Sequence, residues 1–408
     1  MTKNKKKVIV VGGGPGGLFA AFCLLEKGLC VELYDQMPAV GKKFLVAGHG
    51  GLNLTHSENL SDFSKRYGVH EKRFNELLQL FSPKDLRKWC EDLGVETFIG
   101  STGRIFPTKF KAGEMLLLWL KKLKSYPGFK LFTHHRLKKI EKDKSLFFDF
   151  KGQEVKVAPS KNMAVLFSLG GGSWSKTGSD GLWTDLFSNL DLKMTPFQSM
   201  NSGFETDWSP HFKKKVNWSP LKNIKLSFKN HSVRGELIFT PYGLEGGPLY
   251  ELSALVRDSR EKEVLLDFFP DLSQEEVLSR IHKPKGKNSL SNHLRKKLKL
   301  SGLAFSLLKE KTSKEEFKNL DLLGQKLKAL PLNLLRPRPM EESISTSGGL
   351  HFDNLDNSLM IKKMPGFYVA GEMLDWEAPT GGYLLQGCFS TAYRASQSIL
   401  SFLNNETT

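Results

Sequence analysis

Cysteine is scarce in this chain. Of 408 residues only Cys23, Cys30, Cys90 and Cys388 are cysteines, and no two form a C-x-x-C pair. That spacing argues against a disulfide framework, a zinc site and a dithiol redox centre, and it makes a reducing cytoplasm the simplest compartment. No run of 18 apolar residues occurs, so no membrane-spanning helix is expected. The N-terminus has the basic start of a secretory signal, Lys3 to Lys7, but lacks the uninterrupted apolar core. Gly12-Gly13-Gly14-Pro15-Gly16-Gly17 cuts the run short. Acidic residues are outnumbered, with 43 Asp and Glu against 60 Lys and Arg, for a net charge of +17. Such a balance can attract RNA, anionic lipid or an acidic partner. The simpler reading spreads the lysines over solvated helix faces, for example at Lys213-Lys214-Lys215 and from Lys283 to Lys299.

What is present is a globular composition. Hydrophobic residues make up 39% and charged residues 25%, which fits a folded chain rather than a disordered one. The length is enough for two or three domains. Near the start, Val8 to Val11 is a continuous β-branched run, the pattern of a strand buried on both faces. It enters Gly12 to Gly17, which satisfies G-x-G-x-x-G. A helix is expected from Leu18 to Lys27, stopped by Gly28, then a second strand from Leu29 to Tyr34 that ends at Asp35. Gly12 would make the tight turn, Gly14 would let the backbone approach a pyrophosphate, and Gly17 would bring helix and strand close. The free N–H groups of the helix start suit phosphate. Asp35 is placed to accept hydrogen bonds from an adenosine ribose, which favours FAD or NAD over NADP.

The far end of the chain distinguishes FAD from NAD. Gly366 to Glu372 reads as a buried strand ending in Gly-Glu, followed by the turn Pro379-Thr380-Gly381-Gly382 and a helix from about Tyr383 to Leu400. In flavoproteins of this build, the late strand meets the ribityl chain and the next helix aims its N-terminus at the pyrimidine edge of the flavin. A further fragment, Val165 to Ser173, reads as a buried strand with a glycine loop. It does not begin a second G-x-G-x-x-G unit, so no separate nicotinamide-nucleotide domain is expected.

Several motifs resemble one family. Gly41 to Thr55 looks like the second glycine signature of the BaiN-like, or aminoacetone-oxidase-like, bacterial FAD proteins. Gly381-Gly382-Tyr383-Leu384-Leu385-Gln386 resembles their G-G-Y-N-L-Q, and Glu342 to Leu350 their E-x-x-x-T-x-G-G-[VL]. Gly235 to Thr240 with Tyr242-Gly243 is similar to G-E-x-L-F-T-H-x-G. Four departures mark a divergent subgroup. Gly51 and Leu52 replace an Arg and a Cys, Leu384 replaces an Asn, Pro241 stands where a His is common, and Glu245 to Pro248 replaces S-G-P. The resemblance implies an α/β fold: a Rossmann-type FAD-binding domain built from both chain ends (1–195 and 341–408), an inserted small β domain (196–252 and 325–340) and a helical subdomain (253–324). A capping box of Ser273 and Glu276 independently signals a helix start there.

The resemblance and the motifs together assign non-covalent FAD. Its expected contacts at the first end are Gly12, Gly14, Pro15, Gly16, Gly17, Asp35, Gln36, Lys42, Lys43, Gly50 and Asn53. Those further along are Gly170, Gly171, Gly371, Glu372, Gly381, Gly382 and Tyr383. For catalysis the candidates are His49, as a donor to flavin or substrate, and Tyr242 or Glu245, to orient an amine or hydroxyl. Each has a plain alternative as a loop or turn residue. Trp174 is a candidate wall for the adenine and Arg104 a candidate partner for an acidic substrate, with core packing and a structural ion pair as alternatives. The expected activity is an oxidase or an NAD(P)H-linked reductase passing hydride or electrons to or from a small organic substrate. An RNA-modifying flavoprotein and a flavin-bound interaction protein without turnover are the alternatives. Substrate, electron acceptor and oligomeric state are left open.

Overall fold

In the computed structural model, which describes residues 6–48, 51–109, 111–141, 143–158, 160 and 162–405, Lys7–Val11 is the middle strand of a five-stranded sheet. The strand order is Phe367–Val369, Met163–Phe167, Lys7–Val11, Cys30–Tyr34 and Phe129–Phe132, with every pairing parallel. A parallel sheet covered on both faces needs apolar strands without alternation. Val8, Ile9 and Val10 are accordingly fully buried, as are Ala164 to Phe167 of the strand Met163–Phe167.

The helix Pro15–Glu26 starts three residues ahead of the expected Leu18, because Pro15 itself occupies the first helical turn and Gly14 the N-cap. Proline suits that place, since its missing N–H would be unpaired there anyway. The helix is apolar almost all round and nine of its twelve residues are buried. It can be, because the sheet lies on one side and the long helix Tyr383–Asn405 packs on another. Phe19 sits among the rings of Phe81, Trp89 and Phe389, at centroid distances of 4.8, 5.2 and 4.9 Å. The helix Pro83–Asp92 supplies Trp89 and is opened by a capping box of Ser82 and Asp85.

The contacts divide the chain into two compact units, one of residues up to 198 with 344 onward, the other Ser199–Ser343. The second unit holds a closed six-stranded barrel. Its order is Phe204–Thr206, Gly243–Glu245, His231–Phe239, Ser219–Phe228, Glu263–Asp267 and Leu330–Pro337, which pairs back to the first strand. Four helices from Gln274–Ile281 to Leu320–Lys328 follow the fifth strand, and Ser273 and Glu276 form the expected capping box. The strand Glu263–Asp267 falls inside the stretch 253–324 assigned to a helical subdomain. Its alternating exposed and buried residues are the signature of a half-buried strand, and it closes the barrel between Ser219–Phe228 and Leu330–Pro337. Barrel and helices therefore share one apolar core rather than two. Among the described residues no helix is long and apolar enough to cross a membrane.

Replacing Phe19 with alanine would empty a site ringed by three aromatic side chains. The expected loss is about 3–5 kcal/mol of stability, read as a lower denaturation midpoint with an unchanged slope in urea.

Candidate functional site

The turn after the first strand is made of backbone that no side chain could replace. Gly12 has φ +108°, and a Cβ there would lie 2.1 Å from the carbonyl oxygen of Ser168. At Gly17 a Cβ would lie 1.9 Å from the carbonyl oxygen of Gly12. Gly14 is different: a Cβ would meet nothing within 4 Å. The space above it is a groove of about 400 Å³ along the end of the sheet, open to solvent.

The groove gathers residues from distant parts of the first unit. Gly12, Gly14, Pro15, Gly16, Asp35, Gln36, Lys42, Lys43, Gly170, Gly371 and Glu372 all line it. Gly17 lies beneath, packed on Gly12, and Gly171 lies beside Thr346, whose hydroxyl would be 2.1 Å from an added Cβ. Asp35 accepts from the Gly13 N–H through one carboxylate oxygen, at 2.6 Å, and from the Met37 N–H through the other, at 2.7 Å. Burial pushes its carboxyl above the usual range, while those two N–H groups and Lys42 pull it down. Gln36 donates its amide to the carbonyl of Gly178 at 2.7 Å, tying the second strand's end to the loop after Met163–Phe167. Lys43 donates to Glu372 at 2.7 Å and to Ser173 at 2.8 Å. This ion pair joins residues 329 apart in the chain.

Sequence reasoning missed part of the wall. Ser168, Cys388, Trp183 and Arg136 also line the groove. Trp183 donates its indole N–H to the Gly170 carbonyl at 2.9 Å, and Arg136 pairs with Asp180 at 3.1 Å. Gly178 and Gly181, which follow the Gly170-Gly171-Gly172 loop, are the signal for the 177–183 segment. Arg136 stands in an antiparallel strand, His135–Ile140, and no motif marks it. Burial pushes the Cys388 thiol up to about 12, so it is a protonated, poorly nucleophilic wall residue.

Other expected site residues are not brought to the groove wall. Gly381, Gly382 and Tyr383 pack against the second glycine signature instead. A Cβ on Gly382 would lie 2.4 Å from the Thr55 backbone, and the Tyr383 ring is stacked on His56 at 5.5 Å and edge-on to Phe63 at 4.8 Å. Asn53 is away from the groove too, and its Oδ1 is buried with no hydrogen-bond partner. Trp174 likewise has an unpartnered indole N–H and Arg104 forms part of a short antiparallel strand; neither lines the groove. His49 and Gly50 lie outside the described residues. Tyr242 and Glu245 belong to the second unit, where the Tyr242 hydroxyl donates to the Glu245 carboxylate.

The groove fits a dinucleotide. Its floor is a glycine turn closed to side chains everywhere except above Gly14, the first N–H groups of the helix Pro15–Glu26 face it, and it carries an acid at the end of the neighbouring strand. A family model described as the HI0933-like protein Rossmann domain matches residues 6–398. The 3-dehydro-bile acid delta(4,6)-reductase of Clostridium scindens is 23% identical over 412 residues, covering 96% of this chain and 98% of its own. The ribosomal RNA dihydrouridine synthase of Haemophilus influenzae is 22% identical over 404 residues, again covering 96% of this chain and 98% of its own. The solved 3-ketosteroid-delta4-(5alpha)-dehydrogenase of Rhodococcus jostii RHA1 shares the fold, with a TM-score of 0.53, 15% identity and 98% of both chains covered. The family match runs through both chain segments that build the groove, so the chain belongs to the HI0933-like Rossmann-domain family of FAD-dependent oxidoreductases, with FAD as its cofactor.

Proposed function

We propose that this oxidoreductase is a reductase that saturates a carbon–carbon double bond conjugated to a carbonyl in a small organic substrate, with NAD(P)H as the source of reducing equivalents. The observation that carries it is the groove built from both chain ends around Gly14, together with what the full-length relatives are named for. One is a delta(4,6)-reductase and the other makes a dihydro product, so both names describe the addition of hydrogen to an unsaturated ring. When bound, FAD supplies reversible hydride transfer; the chain supplies binding, orientation and electrostatics. In this reading the first N–H groups of Pro15–Glu26 and the open face of Gly14 receive the pyrophosphate. Asp35, with Gln36 beside it, receives the adenosine ribose. Lys42 sits at the phosphate side of the groove. Lys43, already paired with Glu372 and Ser173, fixes that acid's position at the end of the late strand Phe367–Val369.

A ribosomal RNA substrate is the second reading, favoured by the named activity of one set of relatives and by the exposed cations Lys283, Lys285, Lys287, Arg295, Lys296 and Lys297 of the second unit. Anaerobic titration of the FAD-loaded protein with NADH and NADPH should bleach the flavin band. Adding a cyclic enone should restore it, with one equivalent of substrate saturated per flavin. Reoxidation by unmodified ribosomal RNA and not by any free enone would give the second reading. Reoxidation by O2 alone, with no unsaturated acceptor consumed, would identify an oxidase and overturn the reductase.

Gly14→Val should abolish FAD retention through gel filtration while leaving the FAD-free protein folded. The new side chain meets open space in the protein itself, and the N-cap change costs about 1 kcal/mol or less. Gly17→Ala should instead lower the melting temperature of the FAD-free protein, because its methyl collides with backbone. If Gly14→Val retained FAD at the parent level, the groove would not be the cofactor's seat.

FAD should also be held without a covalent bond. The Cys388 thiol is the one cysteine on the groove wall among the described residues, and its pKa near 12 leaves almost no thiolate at neutral pH. Acid precipitation should release all flavin into the supernatant, and the intact mass of the denatured chain should match the bare sequence. Flavin remaining with the pellet would contradict this.

A further inference from the structure

The helix Ala112–Lys124 in the first unit is apolar on two sides. Met115, Leu116, Trp119 and Leu123 are buried in the core of that unit, and this stripe is what packs the helix in place. Packing gives no reason for Leu117 and Leu118, which look outward. Leu117 is 69% exposed, and Leu118 is exposed as well. The helix Lys42–Ala47 lies alongside and contributes a third exposed leucine, Leu45. A Cβ at Gly113 would lie 4.0 Å from Leu45 Cδ2, so the Leu45 side chain reaches the backbone of Gly113. Gly113 stands about one turn before Leu117 on the same face. Helical side chains lean toward the N-terminus, which tips Leu117 toward that spot too. The three leucines thus form one patch rather than scattered exposures.

The charges bordering the patch are mostly of one sign. Lys109 and Lys111 precede the helix, and Lys121, Lys122 and Lys124 stand in its last turn. Their carboxylate partners are Glu114, 3.7 Å from Lys109 and 3.2 Å from Lys111, and Glu26, 3.5 Å from Lys122. Lys121 and Lys124 pair with no carboxylate among the described residues. Thirteen residues make a helix about 20 Å long, so the leucines in its middle lie between ammonium groups at both ends. A lysine stem is long enough to keep its ammonium among lipid headgroups while neighbouring leucines go deeper. A second copy of the chain suits the patch less well. A two-fold contact centred on it would bring lysines against lysines. Three leucines also fall far short of the roughly 20–30 residues a side of a stable protein interface. An anionic bilayer complements both the leucines and the lysines.

We propose that this face docks the protein peripherally on a bilayer containing anionic lipid. The helix Ala112–Lys124 would lie in the plane of the interface, with Leu45, Leu117 and Leu118 at the acyl boundary and the lysines among the headgroups. Nothing in this depends on which substrate the flavin serves.

Co-sedimentation of the full-length, FAD-loaded protein with vesicles tests it. Vesicles of equal parts phosphatidylcholine and phosphatidylglycerol should pellet the protein, and phosphatidylcholine alone should hold it at least about tenfold more weakly. Leu117→Ser with Leu118→Ser should weaken binding to the mixed vesicles roughly tenfold, at low and at high salt. Lys121→Gln with Lys124→Gln should weaken it about fivefold for each charge removed, an effect that fades as salt rises. These side chains are exposed, so FAD content and melting temperature should match the parent in both variants. Lys296→Gln with Lys297→Gln, in the second unit, should cost much less than the Lys121 and Lys124 pair. The proposal is overturned if mixed vesicles do not pellet the protein. It is overturned equally if the leucine variant binds them like the parent, which would leave only the general attraction of a chain of net charge +17. A loss at Lys296 and Lys297 as large as that at Lys121 and Lys124 would move the contact to the other unit and overturn it too. So would a dimer in analytical ultracentrifugation that the leucine variant splits, since a second copy would then cover the patch. Ribosomal RNA binding that falls with Lys121→Gln and Lys124→Gln, while vesicle binding does not, would assign these lysines to RNA instead.

Discussion

Three pieces of backbone meet where the first strand ends, with no room for a side chain between them. The Gly12 carbonyl occupies the place a Cβ of Gly17 would need, and the Ser168 carbonyl the place a Cβ of Gly12 would need. The strands on either side knit this crossing together. Gly12 donates its N–H to Tyr34 at 2.8 Å, and Ser168 donates its own to Val11 at 2.8 Å. Gly13 accepts from Gly41 at 2.8 Å and donates to Asp35. The consequence is geometric. With helix, turn and two strands pressed to contact distance, the start of Pro15–Glu26 is held at the lip of the sheet, and its unpaired N–H groups open onto the groove. Everything assigned to cofactor binding in this unit depends on that one close approach.

The same crossing explains which features were legible in the sequence. A buried parallel strand has to be continuously apolar, and a turn without room for Cβ has to be glycine; both requirements leave marks one residue wide. The strand and glycine turn of Val8 to Gly14, and the strand and glycine loop of Val165 to Gly172, therefore read correctly from the chain alone. The capping box at Ser273 is legible for a similar reason, since two side chains three residues apart satisfy each other's backbone. Ion pairs are not legible in this way. Lys43 finds Glu372 only because the sheet brings the two chain ends together, and either residue would look the same on a solvated surface. The strand Glu263–Asp267 was hidden by its length. Five residues between helices carry too few periods for alternation to stand out, and its place is set by barrel closure with partners some 40 and 70 residues away.

Gly381 and Gly382, expected from the sequence as FAD contacts, have a structural reason of their own to be glycine. Gly382 has φ +97°, and its missing side chain leaves room for the backbone of Thr55. Beyond it, Gln386 accepts from the Thr55 hydroxyl at 2.8 Å and donates to the Phe81 carbonyl at 3.0 Å, all of it buried. Those contacts alone demand glycine at this turn, whatever lies nearby. They also tie the start of the C-terminal helix to the second glycine signature as firmly as the Lys43–Glu372 pair ties that signature to the late strand.

Asp35 presents the converse problem, one acid with two duties. Both of its oxygens already accept a backbone N–H, which would satisfy a purely structural role in holding the glycine turn. A carboxylate, however, has about four acceptor directions. Two N–H bonds leave two of them open, and Asp35 lines the groove. Burial opposes its charge, and the two N–H groups with Lys42 favour it. A ribose hydroxyl donating to the same carboxylate would push in the latter direction, so binding and turn geometry reinforce each other through one side chain. Replacing the acid removes a support of the turn and a contact to the ligand together. The effect of such a change on affinity therefore measures both, and only the open face of Gly14 separates the seat from what holds it.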